Sequence, residues 1–435
     1  MQKIFLYNYI IVIHFDRSQA ACAVLIGTQR TLDGHCLQKR NARNGCVAQD
    51  HQHTSAPQKA QQLEAELAHT IHIRRQSMKK TLAAPLAAAA LCAFASAAHA
   101  QSSVTIYGIL DAGISYVNNT GGGAAWRMDT GVQQGNRLGF MGTEDLGGGL
   151  KALFKLENGY DLNTGALDQG GIFGRQAYVG LSNRIGTLTM GHQYDFMGDV
   201  IGNYSIAYVA GVYAFHPGDY DRVSGDRLDN TVKFVSNNFG GFTAGAMYGF
   251  GNQAGDFHQK SSMSFGLTYD NGPLSLGAAY TDVNNFQINP ASDLGVTSIF
   301  GQPVTGSFVA DSLKSWGVGG SYSFGKFGVM ANYTGTRISY QGNGATLSTV
   351  EGSLLYHFTP ALVAGAGYTW TKLEDSHWGQ VSAGVDYFLS KRTDVYVEAN
   401  YEQASGDDTH AAILTLAPSS TNKQVVARIG MRHKF

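Results

Sequence analysis

The last 335 residues of this 435-residue chain contain no cysteine. All four cysteines (Cys22, Cys36, Cys46 and Cys92) precede Gln101. That portion must therefore be stable without disulfides, although an exported chain could form them. Charged residues are scarce, 14% of the whole. No apolar run reaches the roughly 18 residues of a membrane-spanning helix. Nor does the portion after Ala100 carry a G-x-S-x-G elbow, a phosphate-binding glycine loop or a zinc spacing. Its histidines (His192, His216, His258, His357, His377, His410 and His433) form no serine–histidine pattern. The sequence thus gives no reason to expect an enzyme, a cofactor, a resident metal or a nucleic-acid partner. What remains is an all-β chain, either secreted or closed into a transmembrane barrel.

The front of the chain reads as a separate matter. Met78-Lys79-Lys80 supplies two cationic residues, Leu82 to Ala95 is apolar, and Ala98-His99-Ala100 is an A-x-A cleavage site. These are the three parts of a secretory signal peptide, with the mature chain starting at Gln101. Residues 1–77 precede it and show no sustained periodicity. They are read as an upstream extension outside the natural product, with a genuine regulatory extension as the alternative. Removing the front changes the charge. Of 31 Lys+Arg, 11 lie in residues 1–100; of 32 Asp+Glu, 5 do. Residues 101–435 keep 20 and 27, a formal −7, against −1 for the full chain.

Fifty-two of the 55 glycines lie after Gln101, set in period-2 alternation. Val104, Ile106, Leu110, Ala112, Ile114 and Tyr116 share one face of the first strand; Thr105, Asp111 and Ser115 share the other. Trp316, Val318, Tyr322 and Phe324 alternate with Ser315, Gly317, Gly319, Ser321 and Ser323. Faces of glycine, serine, threonine and charge suit a watery lumen, with the apolar faces toward lipid. Seven short turns alternate with eight longer loops, which gives sixteen strands. A barrel of that size encloses a water-filled channel. Aromatic residues near strand ends, Tyr107, Tyr116, Tyr160, Tyr248, Tyr269, Tyr280, Tyr333, Tyr356, Tyr368, Trp370, Trp378, Tyr387 and Tyr401, are expected to form the two interfacial girdles.

The stretch Tyr194–Asp229 breaks the alternation. It holds five tyrosines, and its second half concentrates Asp219, Asp221, Asp226 and Asp229 with Arg222 and Arg227. Long loops in ordered chains are usually functional or disordered, and aromatics argue against disorder. The stretch reads as an ordered loop folded into the lumen.

The segments SSVTIYGILDAGISY, NRLGFMGTEDLGGGLKALFKLENGY, FGRQAYVGLSN and the terminal GMRHKF resemble the general Gram-negative outer-membrane porins, above all their β-proteobacterial branch. The resemblance spans essentially all of residues 101–435, in order. It implies an all-β, 16-stranded antiparallel transmembrane barrel whose third external loop folds inward as an eyelet. It implies passive diffusion of ions and small hydrophilic solutes across the outer membrane. A substrate-selective (anion) channel, or a surface adhesin or antigen barrel without a transport role, stand as alternatives. The implied partners are two further copies in a homotrimer, outer-membrane lipid and lipopolysaccharide, and the outer-membrane insertion machinery. Phe435, the last residue, is the implied assembly signal; Val425, Ala427, Ile429 and Met431 share its face.

By the same resemblance, Arg137 and Arg175 match two wall arginines that face an acidic loop. Strand phase agrees for Arg137, because Leu138 and Phe140 point outward. Arg222 or Arg227 is the third candidate, and Asp219, Asp221 and Asp226 are the acidic candidates. Lys151, Lys155 and Lys233 are read as solvated lumen residues, with extension of the basic ladder as the alternative. Charges opposed across a narrow gap create a transverse field that low-dielectric walls focus, and rings of charge set ion selectivity. The net −7 favours cations; a dominant arginine ladder would reverse that. His192, on the face of Leu188 and Met190, is read as a structural histidine at a subunit interface. Asp219-x-Asp221…Gly225-Asp226 lacks the ligand spacing and closing glutamate of a calcium loop.

Overall fold

A computed structural model of the chain describes residues 103–304 and 306–435. The proposed signal peptide and upstream extension lie outside the described residues. The strands, in chain order, are β1 (Ser103–Thr120), β2 (Gly123–Thr130), β3 (Arg137–Gly147), β4 (Leu150–Gly159), β5 (Gln176–Ser182), β6 (Gly186–Tyr194), β7 (Arg227–Ser236), β8 (Phe242–Gly249), β9 (Ser262–Asn271), β10 (Leu274–Ile288), β11 (Ser298–Ile299), β12 (Gln302–Pro303), β13 (Phe308–Phe324), β14 (Phe327–Tyr340), β15 (Asn343–Thr359), β16 (Leu362–Leu373), β17 (Ser376–Phe388), β18 (Thr393–Ser405) and β19 (Lys423–Lys434). β11 and β12 form a two-residue ladder of their own, and the other 17 form one sheet.

That sheet closes on itself. β1 pairs with β19 along one edge, from Ile109↔Lys434 to Val117↔Val426. On its other edge its outer half pairs with β2 and its inner half with β3. β2 and β3 are therefore two lengths of one wall position, and the 17 segments make a 16-stranded antiparallel barrel. The break between them falls at residues 131–136, where Gly131 takes a φ of +71°. Gln134 N donates to Asp111 Oδ2 (2.7 Å), and Asn136 Oδ1 accepts from Asp111 N (2.6 Å). The chain thus leaves the wall and returns to it. Closure removes every edge, so each strand finds main-chain partners on both sides, as a lipid setting demands.

The alternation read from the sequence sets the two faces. Trp316, Val318, Ile114, Ile106 and Tyr368 are exposed on the outside; Ser315, Asp111, Ser115 and Gln380 are buried on the inside. Two expected girdle residues break the rule. Tyr107 points inward and donates to Glu157 Oε2 at 2.7 Å. Trp378 is fully buried inside, its Nε1 donating to His410 O (3.2 Å). Both lie on the inward phase of their strands, Tyr107 with Asp111 and Trp378 with Gln380. Three connections expected to be long are tight turns of two residues, at 121–122, 341–342 and 374–375, because the flanking strands extend past them. The extended loops are 160–175, 195–226, 250–261, 289–307 and 406–422.

Candidate functional site: the inward loop and the wall it faces

The loop 195–226 packs on the barrel's inner face. Its first half is short helical turns, Phe196–Val200, Ile201–Tyr204 and Ala207–Ala210. Asp195 caps the first by accepting from Gly198 N (3.2 Å). Phe196, Met197, Val200, Ile201 and Tyr204 form one buried apolar cluster with Met247, Ala279 and Val283 of the wall. Ile206, Val209 and Ala210 form another with Leu355 and Val363. The close approach requires glycine on the wall. A Cβ at Gly266 would stand 2.5 Å from Phe196 Cδ1, and one at Gly319 2.5 Å from Tyr204 Cδ2. The inward glycines of the alternating strands are the bed of the loop.

Polar pins complete the seating. Ser264 Oγ accepts from Phe196 N (3.0 Å), Asn332 Nδ2 donates to Tyr204 O (3.1 Å) and Ser315 Oγ to Tyr220 O (3.0 Å). Gln380 Nε2 donates to Tyr213 O (2.7 Å). The far end meets the strand break: Val212 N donates to Val132 O (2.8 Å), and Gln133 Nε2 to Tyr208 O (2.8 Å). The loop therefore lines the wall from β7 and β8 round to β1. It leaves β3 to β5 and most of β6 uncovered.

That uncovered arc is basic. Glu157 on β4 is buried, and cations converge on it: Arg175 Nε at 2.9 Å, Lys155 Nζ at 3.4 Å and Arg137 Nη1 at 4.0 Å. Arg175 Nη2 also donates to Tyr194 OH (2.7 Å), as does Arg227, whose guanidinium lies 4.3 Å over the Tyr194 ring. Lys233 Nζ bonds Tyr194 O (2.7 Å) and Asp199 Oδ2 (2.5 Å). Arg137, Lys155, Arg175 and Arg227 thus surround one carboxylate and one tyrosine ring, and a fifth cation, Lys233, reaches that tyrosine's carbonyl. The structure brings Arg137, Arg175 and Arg227 together and adds Lys155.

The other candidates go elsewhere. Arg222 is enclosed between loop and wall, paired with Asp195 and with Asp226 (3.1 Å). Burial would loosen its proton, but Asp195 and Asp226 outweigh that and hold the guanidinium charged. Asp221 is also enclosed, bonded to His216 Nδ1 (2.5 Å) and Thr334 Oγ1 (2.5 Å). Asp219 accepts from Ser224 N (2.9 Å). Enclosure, then the Asp226 and Asp221 charges, push its carboxyl well above the ordinary range. Of the three aspartates, Asp221 is buried, Asp219 is partly buried, and Asp226 keeps 38% of its side chain exposed. Asp199, Asn203 and Tyr208 are the exposed residues of the loop's helical half.

Sequence reasoning missed Asp199, Glu157 and the inward pair Arg428 and Arg432. Arg428 pairs with Asp111 (3.4 Å), and Arg432 with Asp386 (3.2 Å) and Asp394 (3.1 Å). A period-2 signal was present for all three strand residues. Glu157 keeps the phase of Lys151 and Lys155, and the arginines alternate with outward Ile429 and Met431. Asp199 carried no such signal. His192 faces outward, bonding Asp229 Oδ1 (2.5 Å) and Gly174 O (2.9 Å). It ties the end of the 160–175 loop to the start of β7.

Comparison with known proteins bears on this arrangement. A family model described as Gram-negative porin matches residues 87–407. An outer membrane porin protein of Bordetella pertussis is 30% identical, over 82% of this chain and 100% of its own length. Outer membrane porin protein 32 of Delftia acidovorans is 29% identical over the same shares. Among solved structures, the anion-selective porin from Comamonas acidovorans superposes with a TM-score of 0.65 at 24% identity, covering 77% of this chain and 100% of that one. A closed 16-stranded barrel with a polar interior, an apolar exterior and these relatives leaves one assignment: the chain belongs to the Gram-negative porin family, channel proteins of the outer membrane that let solutes diffuse passively and perform no chemistry.

Proposed function

We propose that permeation is controlled where the loop 195–226 faces the basic arc, and that this constriction favours anions although residues 101–435 carry a formal −7. The observation that carries this reading is the imbalance at the arc, where Arg137, Lys155 and Arg175 converge on Glu157 alone and Arg227 joins Arg175 at the Tyr194 hydroxyl. The exposed acids of the loop are already paired, Asp199 with Lys233 and Asp226 with Arg222. Most other inward acids have cationic partners too, as Asp111, Asp386 and Asp394 do. Charge at the narrowest point governs selectivity more than the total does. A small anion would shed part of its water there against guanidinium groups that match its oxygens.

The working unit is proposed to be a homotrimer, with the 160–175 loop reaching a neighbour. It would be exported on the signal at 78–100 and set among outer-membrane lipid and lipopolysaccharide by the insertion machinery. The test is planar-bilayer recording on refolded 101–435 under a salt gradient. The expected reversal potential has the sign of anion preference, with current lost in three equal steps. R137Q/R175Q should move that potential toward zero. A cation-signed potential in the unaltered protein overturns the anion reading. Silence from folded protein overturns the open channel.

A further inference from the structure

His216 lies within the loop with no exposure at all, and both its ring nitrogens face carboxylates. Nδ1 is 2.5 Å from Asp221 Oδ2 of the loop, and Nε2 is 3.0 Å from Glu351 Oε2 of β15. A neutral imidazole has one N–H; two carboxylate partners call for two. The ring is therefore held as an imidazolium. Glu351 is the fixed side of this clamp. Its Oε1 accepts from Ile206 N (2.5 Å) and its Oε2 from Asn332 Nδ2 (3.2 Å). One wall carboxylate thus grips the loop at two places ten residues apart in sequence. The groups facing the ring and its partners are Asp221 from the loop, Glu351 from β15, and uncharged Asn332 and Thr334 from β14. Asp219, next along the loop, is turned to Ser224.

We propose that His216 is the positioning residue of the constriction: clamped between Asp221 and Glu351, it holds the 206–221 segment on the wall and so sets the aperture of the pore. The proposal rests on reading the loop as the constriction. Burial alone would strip the proton from the ring, but Asp221 and then Glu351 outweigh it and hold the pKa up at about 10. The clamp therefore stands in full below the ordinary histidine value of about 6.5, and it is lost as pH rises through about 10. On the acid side, burial would raise the Asp221 carboxyl, but His216 outweighs it and holds the group below its ordinary value.

The test is open-channel current noise in planar bilayers as a function of pH. The unaltered pore should be quiet at pH 7 and begin to flicker as pH approaches 10. The discriminating variant is E351Q. It keeps the shape and removes one of the two charges. Its flicker should begin roughly 1–3 pH units lower. A lock provides the second arm. Ile206 Cβ lies 3.0 Å from where a Cβ at Gly367 on β16 would stand, close to the ~3.5–4.5 Å of a disulfide. The portion after Gln101 has no cysteine of its own. Oxidised I206C/G367C should stay quiet throughout, and reduction should restore the flicker. A conducting pore with the same onset in E351Q and the unaltered protein overturns the clamp and leaves the diffusion channel standing. So does flicker that survives the disulfide.

Discussion

Glu157 shows why one buried carboxylate can matter more than several exposed ones. Its side chain is 1% exposed, and the 7%-exposed Arg175 is bonded to it at 2.9 Å. Removing one partner of a buried pair leaves an uncompensated charge in a poor solvent, at a cost of about 3–5 kcal/mol. E157Q should therefore lower the temperature at which the barrel loses its heat-modifiable gel mobility, because it strands Arg175 among Lys155 and Arg137. Arg137 is different. It sits 4.0 Å from the carboxylate, is 18% exposed and accounts for little of the pairing. R137Q should leave that temperature unchanged while reducing anion preference. A thermal loss in R137Q equal to that in E157Q would mean the arc is a structural unit with no separable role in conduction. The two arginines were matched to the same family feature in the sequence, yet burial separates their roles.

At the scale of elements, the loop's seat is a negative image of its side chains, formed where strands present glycine inward. G266V would drive a methyl group against Phe196, whose Cδ1 is 2.5 Å from the substituted Cβ. Overpacking costs about 1–3 kcal/mol, and here it acts on the side of the loop that faces the wall. The loop should lift toward the lumen and single-channel conductance should fall. Gly352 has open space where its Cβ would stand, so G352V should leave conductance unchanged; equal effects in the two variants would sink the account. Much of this scale was legible in the sequence. Period-2 patterning revealed which face of each strand points inward, because a strand cannot bury one face without exposing the other. Phase also placed Arg137 correctly. Loop lengths were less legible, since strands that outrun the bilayer keep alternating, as at 341–342. The break at 131–136 was hidden because strand sequence continues on both sides of it. The path of the inward loop was not legible at all. Whether Arg222 or Arg227 reaches the arc depends on where the chain turns at Gly218 and Gly225, which take φ values of +69° and +97° and where a Cβ would meet Leu294 and Tyr194. Sequence proximity put Asp219, Asp221 and Asp226 in one group; the turns send each to a different partner.

For the whole molecule, stability without cysteine depends on closure. The seam between first and last strands runs to the final residue: Gly108 N donates to Phe435 O, and Phe435 N to Gly108 O, both at 3.1 Å. The Phe435 ring lies over Gly108 on the outer face, and 43% of the residue stays exposed. Closing the seam is one role at this position; presenting an aromatic end to the insertion machinery is the second role proposed for it. They can be separated. F435A keeps both main-chain bonds and loses only the ring. If the ring acts chiefly as the assembly signal, F435A should refold from urea into detergent as a heat-modifiable barrel much like the unaltered chain, yet accumulate poorly in the outer membrane of living cells. Deleting the residue removes the main-chain bonds as well, at roughly 1 kcal/mol each, and should weaken both readouts. An F435A chain that fails equally in detergent and in cells would assign the ring to the seam. The stability of the barrel would then depend on its last side chain packing over Gly108, with recognition carried by other parts of β19.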